Sequence, residues 1–297
     1  MIAGGCPWED KMSRVGLWTA LAMIAFAANS VLARLALGAR SIDALGYTGI
    51  RLAAGALTLL ALHALRERRR GARPTIAGNW SGAGALFGYA IAFSLAYLLL
   101  GAGNGALILF ATVQLTMLGW GIMRGDLPGG IEWLGIAIAF GALVYLVSPG
   151  LVAPDPLGSL LMVLAGICWA IYSLLGRGSA DPLADTAGNF VRTLPLALVL
   201  VLAGCLAAVP EPAGIAYAVA SGALASGLGY ALWYAALPHL ARSRAAIVQL
   251  TVPAIAALGG VVLLGEALTP RLLIASVAIL GGVALAVVAG QRRKRAA

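Results

Sequence analysis

Trp169 and Tyr172 stand three residues apart in one apolar stretch, Tyr230, Trp233 and Tyr234 cluster in another, and Tyr89, Phe93 and Tyr97 recur every fourth residue in a third. Spacings of three and four place side chains on one face of a helix. Asn29, Gln114, Asn189 and Gln249 lie in apolar stretches too, and each amide can both donate and accept. Aromatic walls with amide contacts suit an amino acid, whose charged ends need polar partners and whose side chain needs an apolar surface. Asn29, Tyr97, Gln114, Trp169, Tyr172, Asn189, Tyr230, Trp233 and Gln249 are therefore the candidate substrate-binding residues. Each has a second reading taken singly, because polar and aromatic side chains also pack membrane helices together.

Arg51 and Arg192 are the charges set well inside apolar stretches. A charge there is costly unless it snorkels out or meets polar surroundings. They are either partners of a substrate carboxylate or structural groups bonding carbonyls and helix-end acids. None of the eleven Asp and Glu residues occupies the middle of a stretch. Ion coupling and the binding of lipophilic cations ordinarily use an intramembrane carboxylate, so a zwitterionic or neutral substrate moved down its own gradient, or by exchange, is favoured. Asp43 and Asp185 are the acids left for coupling if it exists. His63 and His239 stand apart near span ends, which leaves no metal site and no catalytic residue to assemble. Gly101 to Gly105 and Gly281-Gly282 lack the Gly-x-x-x-x-Gly-Lys-Ser/Thr pattern of a phosphate loop. Neither enzyme chemistry nor a cofactor is expected.

The elements that must hold these residues are long and apolar. A span of about 20 apolar residues crosses a bilayer as a helix. Ten such stretches are read at 15–34, 43–63, 80–100, 104–123, 131–148, 157–176, 183–209, 213–236, 245–264 and 270–289. With 61% apolar and 10% charged residues, the chain falls far below the roughly 25% charge that a soluble domain carries. The 39 glycines suit closely packed membrane helices. The first stretch is too long for a signal peptide core; residues 1–14 form a cytoplasmic leader, of which 1–11 are expected to be poorly ordered. Cys6, Cys168 and Cys205 offer no disulfide framework.

The net charge of +9 is unevenly spread. If ten helices alternate, Lys11, Arg14, Arg66, Arg68, Arg69, Arg70, Arg73, Arg124, Arg177, Arg242, Arg244 and the tail Arg292, Arg293, Lys294 and Arg295 share one side, opposite Arg34, Arg40 and Arg271. The positive-inside rule then puts both termini in the cytoplasm. The 66–73 cluster is a topology determinant meeting anionic headgroups, and no nucleic acid partner is expected.

The second five spans echo the first five. Phe26-Ala27 through Ser30 to Arg34 parallels Trp169-Ala170 through Ser173 to Arg177; Ile50-Arg51 parallels Val191-Arg192; Val113-Gln114-Leu115-Thr116 returns as Val248-Gln249-Leu250-Thr251; and Gly125-Asp126 matches Gly265-Glu266. An odd number of spans per half inverts the second copy. The expected architecture is all-α and integral to the membrane: a leader (1–14), a five-helix repeat (15–148), a connector (149–156), an inverted repeat (157–289) and a basic tail (290–297). Inverted repeats characterise secondary transporters with a midplane site and alternating access.

Tyr234-Ala235-Ala236-Leu237 through Ala245, Ala246, Gln249 and Pro253, then Gly265-Glu266 and Pro270 opening the last span, resemble the EamA-type drug/metabolite transporters over residues 13–290. Within that superfamily the aromatic-rich first half is most similar to the YddG exporters. The resemblance implies export of a small metabolite, often an amino acid, from the bacterial cytoplasm across the inner membrane; short loops and a complete repeat within one chain allow a working monomer. Sugar or nucleotide-sugar transport and proton-coupled drug efflux are the competing readings. The halves differ at one instructive place, where Leu118 stands opposite Pro253. A proline frees a carbonyl and permits a kink, so span 9 is expected to bend, span 4 to stay straighter, and Pro253 to contribute to gating.

Overall fold

The computed structural model describes residues 7–148, 153–240 and 242–296, and among them helix is the only regular structure. The helices are α1 Pro7–Gly38, α2 Ala44–Arg69, α3 Trp80–Tyr97, α4 Ala102–Met123, α5 Gly130–Val147, α6 Pro156–Leu175, α7 Pro182–Ala207, α8 Pro212–Ala220, α9 Gly229–Ala236, α10 Arg242–Gln249, α11 Thr251–Leu264 and α12 Pro270–Ala296. Local chemistry explains where they begin. Asp43, Asn79, Asp155 and Asp181 cap α2, α3, α6 and α7, each side chain accepting a hydrogen bond from a backbone N–H of the first turn, which satisfies a donor the helix cannot use. Proline follows the cap in α6 and α7, where its missing N–H costs nothing. Gly265 ends α11 at φ +66°, a left-handed stop that glycine adopts freely.

Nine of these helical spans are long and apolar enough to cross a membrane. The tenth, α3, is 18 residues long and is less apolar because it carries Trp80, Ser81, Tyr89 and Tyr97 among glycines. The chain is thus a multi-pass, all-helical membrane protein. Large apolar side chains such as Leu206, Val209, Val262 and Val277 stand exposed on the outer surface, where lipid is the compatible solvent.

Three spans differ from the sequence expectation. α1 begins at Pro7, so the second half of the leader continues the first span as helix; residues 1–6 lie outside the described residues. Span 8 is α8 and α9 joined through a π-helical segment, Ser221–Leu228, and ends in a 3-10 turn, Leu237–His239. Span 9 is broken at Leu250 into α10 and α11. Pro253 has no N–H to return to Gln249, and its ring crowds that carbonyl, so the break falls where the proline removes the bond. α4, with Leu118 at the matching place, runs unbroken.

Packing follows small residues. α2 and α7 run antiparallel, with Gly46 against Gly204 and Gly55 against Phe190; a Cβ on Gly204 would come within 2.5 Å of the Gly46 nitrogen. α5 and α12 do the same through Gly135 and Gly282. Such contacts let helix backbones approach without a hydrophobic drive between them. α3 packs on α6 and α1 on α8 and α9; α6 packs on α4 and α1 on α11; α4 packs on α11. Exchanging the first five spans for the last five leaves this set of partnerships unchanged.

Candidate functional site

α1, α3, α6, α7 and the α8–α9 span meet around a chain of aromatic rings. Trp233 meets Phe26 edge-on at 6.2 Å between centroids, Phe26 lies 5.6 Å from Tyr230, and Tyr230 stacks on Trp169 at 5.6 Å with 19° between planes. Trp169 touches Tyr172 at 5.2 Å and Tyr89 at 4.8 Å, and the run continues through Phe93 to Tyr97. Phe190 and Tyr234 flank Tyr230. Five candidates, Tyr97, Trp169, Tyr172, Tyr230 and Trp233, therefore belong to one continuous cluster. Trp169 is half-buried while Tyr230 and Trp233 are buried.

Polar groups line the same region. Asn29 is buried, and its Oδ1 accepts from Ser221 Oγ at 2.7 Å and Ser226 Oγ at 3.4 Å, both in the π-helical segment. Apart from the outward Leu224 and Leu228 that segment has small side chains, with Gly222 against the Arg51 carbonyl and Ala54 and Gly227 against Thr58. π-segments inside helices recur at functional sites. Tyr172 donates to Thr186 at 3.1 Å, and Thr186 shares a 2.9 Å bond with Tyr234. Arg51 is 2% exposed; its Nη2 donates to Tyr89 Oη at 3.1 Å, and its guanidinium sits 4.6 Å above the Phe93 ring and 5.3 Å from that of Tyr89.

The remaining candidates stand outside the chain of rings, Asn189 bordering it beside Tyr172. Asn189 Oδ1 accepts from the Asn79 backbone N–H at 2.8 Å, Asp185 accepts from that of Gly78 at 2.9 Å, and Arg192 donates to the carbonyls of Ala77 and Gly188. These α7 residues clasp the α2–α3 connection, and a Cβ on Gly188 would overlap the Ala77 carbonyl. Gln114 is buried on α4, Gln249 is the half-buried last residue of α10, and Pro253 is buried just beyond the break.

Each end of the bundle is tied. At the arginine-rich end Arg66 grips Asp181 with both terminal nitrogens and Glu67 through Nε at 3.0 Å. Partial burial works against the charge on Asp181, yet the Arg66 guanidinium and the Ala184 amide hold its carboxyl below the ordinary carboxylate range. His63, Glu67 and Asp181 converge closely enough to hold a metal, but Arg66 already supplies the positive charge among them. At the opposite end Gly101 begins α4 without a capping side chain. Glu266 supplies it from the α11–α12 connection, both oxygens accepting from Ala102 N at 2.9 and 2.8 Å, while Arg34 Nε stands 3.5 Å from the same carboxylate. A carboxylate at a helix N-terminus is favoured by the helix dipole.

Residues 156–288 match the EamA-like transporter family. A protein of Pseudomonas aeruginosa is 54% identical over 272 residues, which covers 92% of this chain and 94% of that one. The chain belongs to the EamA family of drug/metabolite transporters. Other members of the family are more distant: the inner membrane transporter YedA of Escherichia coli is 29% identical over 58% of this chain and 56% of its own, and the threonine/homoserine exporter RhtA of the same species is 36% identical over 42% and 43%. A crystal structure overlays 90% of this chain and 98% of its own with a TM-score of 0.62 at 22% identity, a likeness of fold. In this EamA transporter Tyr47, Tyr89, Ser221, Ser226 and Thr186 join the site beyond the candidates read from sequence. Of these, the sequence signals Tyr89, by its spacing from Phe93 and Tyr97; Tyr47, Ser221, Ser226 and Thr186 carry no comparable signal.

Proposed function

We propose that this chain exports amino acids, large neutral or aromatic ones among them, across the bacterial inner membrane by alternating access. The observation that carries the reading is the aromatic cluster: Trp169 of α6 meets Tyr89 of α3 on one side and Tyr230 of α9 on the other, so rings from both halves of the chain surround one place. Such a lining fits an apolar or aromatic side chain. The reading includes two inverted repeats, residues 15–148 and 157–289, with both termini cytoplasmic and a working monomer. It is supported by the packing partnerships that survive exchange of the halves and by the basic residues gathered at one end.

Counterflow in proteoliposomes with a panel of labelled amino acids tests the function: phenylalanine, leucine or threonine should exchange, and sugars should not. Exchange of a sugar with no amino acid moved would reverse the assignment. Cysteines placed at Arg69 and Arg40 in a cysteine-free background test topology. The first should react only from the cytoplasmic side and the second only from outside; the opposite pattern would overturn the orientation.

A further inference from the structure

Tyr47 and Arg51 stand one helical turn apart on α2, 0% and 2% exposed. Two of their polar atoms, Tyr47 Oη and Arg51 Nη1, are buried without a hydrogen-bond partner among the described residues. Buried polar atoms are nearly always paired, and two unpaired donors from neighbouring turns of one helix need a common explanation. No ion pair reaches Arg51 among the described residues. The acids of this chain stand at helix ends and in connections, where Asp181, Asp185 and Glu266 are committed to Arg66, Gly78 and the start of α4. Ring faces above the guanidinium offset only part of the cost of burying its charge. Ser221, the polar side chain beside Tyr47, gives its proton to Asn29 and is left only with lone pairs, without hydrogen-bond geometry to the phenol.

We propose that Arg51 Nη1 and Tyr47 Oη form the carboxylate subsite of the transported molecule, a deepening that rests on the amino-acid reading for the rest of the substrate. A carboxylate oxygen accepts from both donors, neutralises the guanidinium, and leaves the apolar body of the substrate toward Tyr89, Trp169 and Tyr230. Guanidinium and carboxylate are matched in shape and charge. The acids nearest the cluster are already committed: Asp185, close to Tyr172 and Tyr234, is held by Gly78 and Ser179, and Glu266, close to Tyr97, caps α4, so neither is free to pair with an ammonium group. The carboxylate is therefore read by charge and the ammonium is not, and the substrate class is that of monocarboxylates with a large apolar body.

The test uses the purified transporter in detergent, with thermal shift as the binding readout and proteoliposome counterflow as the transport readout. Phenylalanine and 3-phenylpropionate, which lacks the ammonium, should both bind, while phenylalanine methyl ester and phenylalaninamide should not. Arg51→Gln should weaken both acids at least about thirtyfold. Because that variant is vulnerable to misfolding, Tyr47→Phe carries the decision: it removes a hydroxyl that makes no hydrogen bond of normal geometry among the described residues, so it should change the melting temperature little while weakening both acids about tenfold. If Tyr47→Phe binds phenylalanine as the wild type does, or the ester binds as well as the acid, the subsite is overturned while amino-acid export stands. If phenylpropionate binds and no amino acid does, the subsite stands and the amino-acid reading falls. If chloride alone shifts the melting temperature through Arg51 and no carboxylate competes with it, the groups hold an inorganic anion and the proposal is overturned.

Discussion

At the scale of single residues, Trp169 is the side chain on which the proposed function depends most. It joins Tyr89, Tyr172 and Tyr230 and is only half-buried, so its removal takes away a wall without taking away a packed core. Trp169→Ala should cut transport of large apolar and aromatic amino acids about tenfold or more, in line with an aromatic contact plus its buried area, while threonine is affected less and the protein still inserts. Equal kinetics for all substrates would make Trp169 a packing residue. Asp181 carries a second expectation. Its carboxyl titrates below its unfolded value because of Arg66, so the Arg66–Asp181 tie is complete above the unfolded carboxylate pKa of about 4 and is lost as pH falls through the lower folded value. A partly exposed, solvent-screened pair at a helix end is worth no more than about 1 kcal/mol. Thermal unfolding in detergent should thus show a small loss of stability below pH 4 that Asp181→Asn removes; an unchanged acid limb in that variant would detach the effect from Asp181.

Elements show what sequence reveals and what it conceals. The spans were legible because hydropathy over twenty residues is a local signal, and the break in span 9 was legible because Pro253 acts on its own backbone. The π-helical segment was not, since Ser221–Leu228 reads as ordinary small-residue helix and takes its form against Arg51, Ala54 and Thr58 of α2. Glu266 was visible as a repeated motif, yet its work as the cap of α4 depends on a fold that brings position 266 to position 102. Asn189 and Arg192 were placed by depth alone, and only tertiary structure shows them holding the α2–α3 connection. Tyr47 looks like any packing aromatic until Arg51 and its unpaired nitrogen are seen beside it. The break also gives a prediction. Pro253→Leu copies the residue of span 4 and restores a hydrogen bond toward Gln249; it should raise the melting temperature and slow turnover several-fold without changing substrate affinity. A turnover equal to the wild type would show that the bend at Leu250 takes no part in the cycle.

For the molecule as a whole, the distribution of charge bears on energy coupling. Described acids sit at helix ends or in connections, several of them holding caps and ties: Asp43 caps α2, Asp185 holds Gly78, and Glu132 accepts from Arg293 at 2.6 Å. The aromatic cluster between the halves offers hydroxyls, amides and one guanidinium, none of which changes protonation near neutral pH. If the substrate is a zwitterion, as proposed, its path among the described residues offers no uncommitted group to pick up a proton on one side and release it on the other, Asp185 being held by Gly78 and Ser179. Transport in liposomes should accordingly run in either direction along the substrate gradient, unaltered by an imposed pH or sodium gradient, and export in the cell would follow from a higher internal concentration. The decisive measurement is accumulation against the substrate gradient with one side acidified. If it occurs, and replacing Asp43 or Asp185 by Asn abolishes it with the fold retained, then a helix-end acid reaches the path during the cycle and transport is proton-driven.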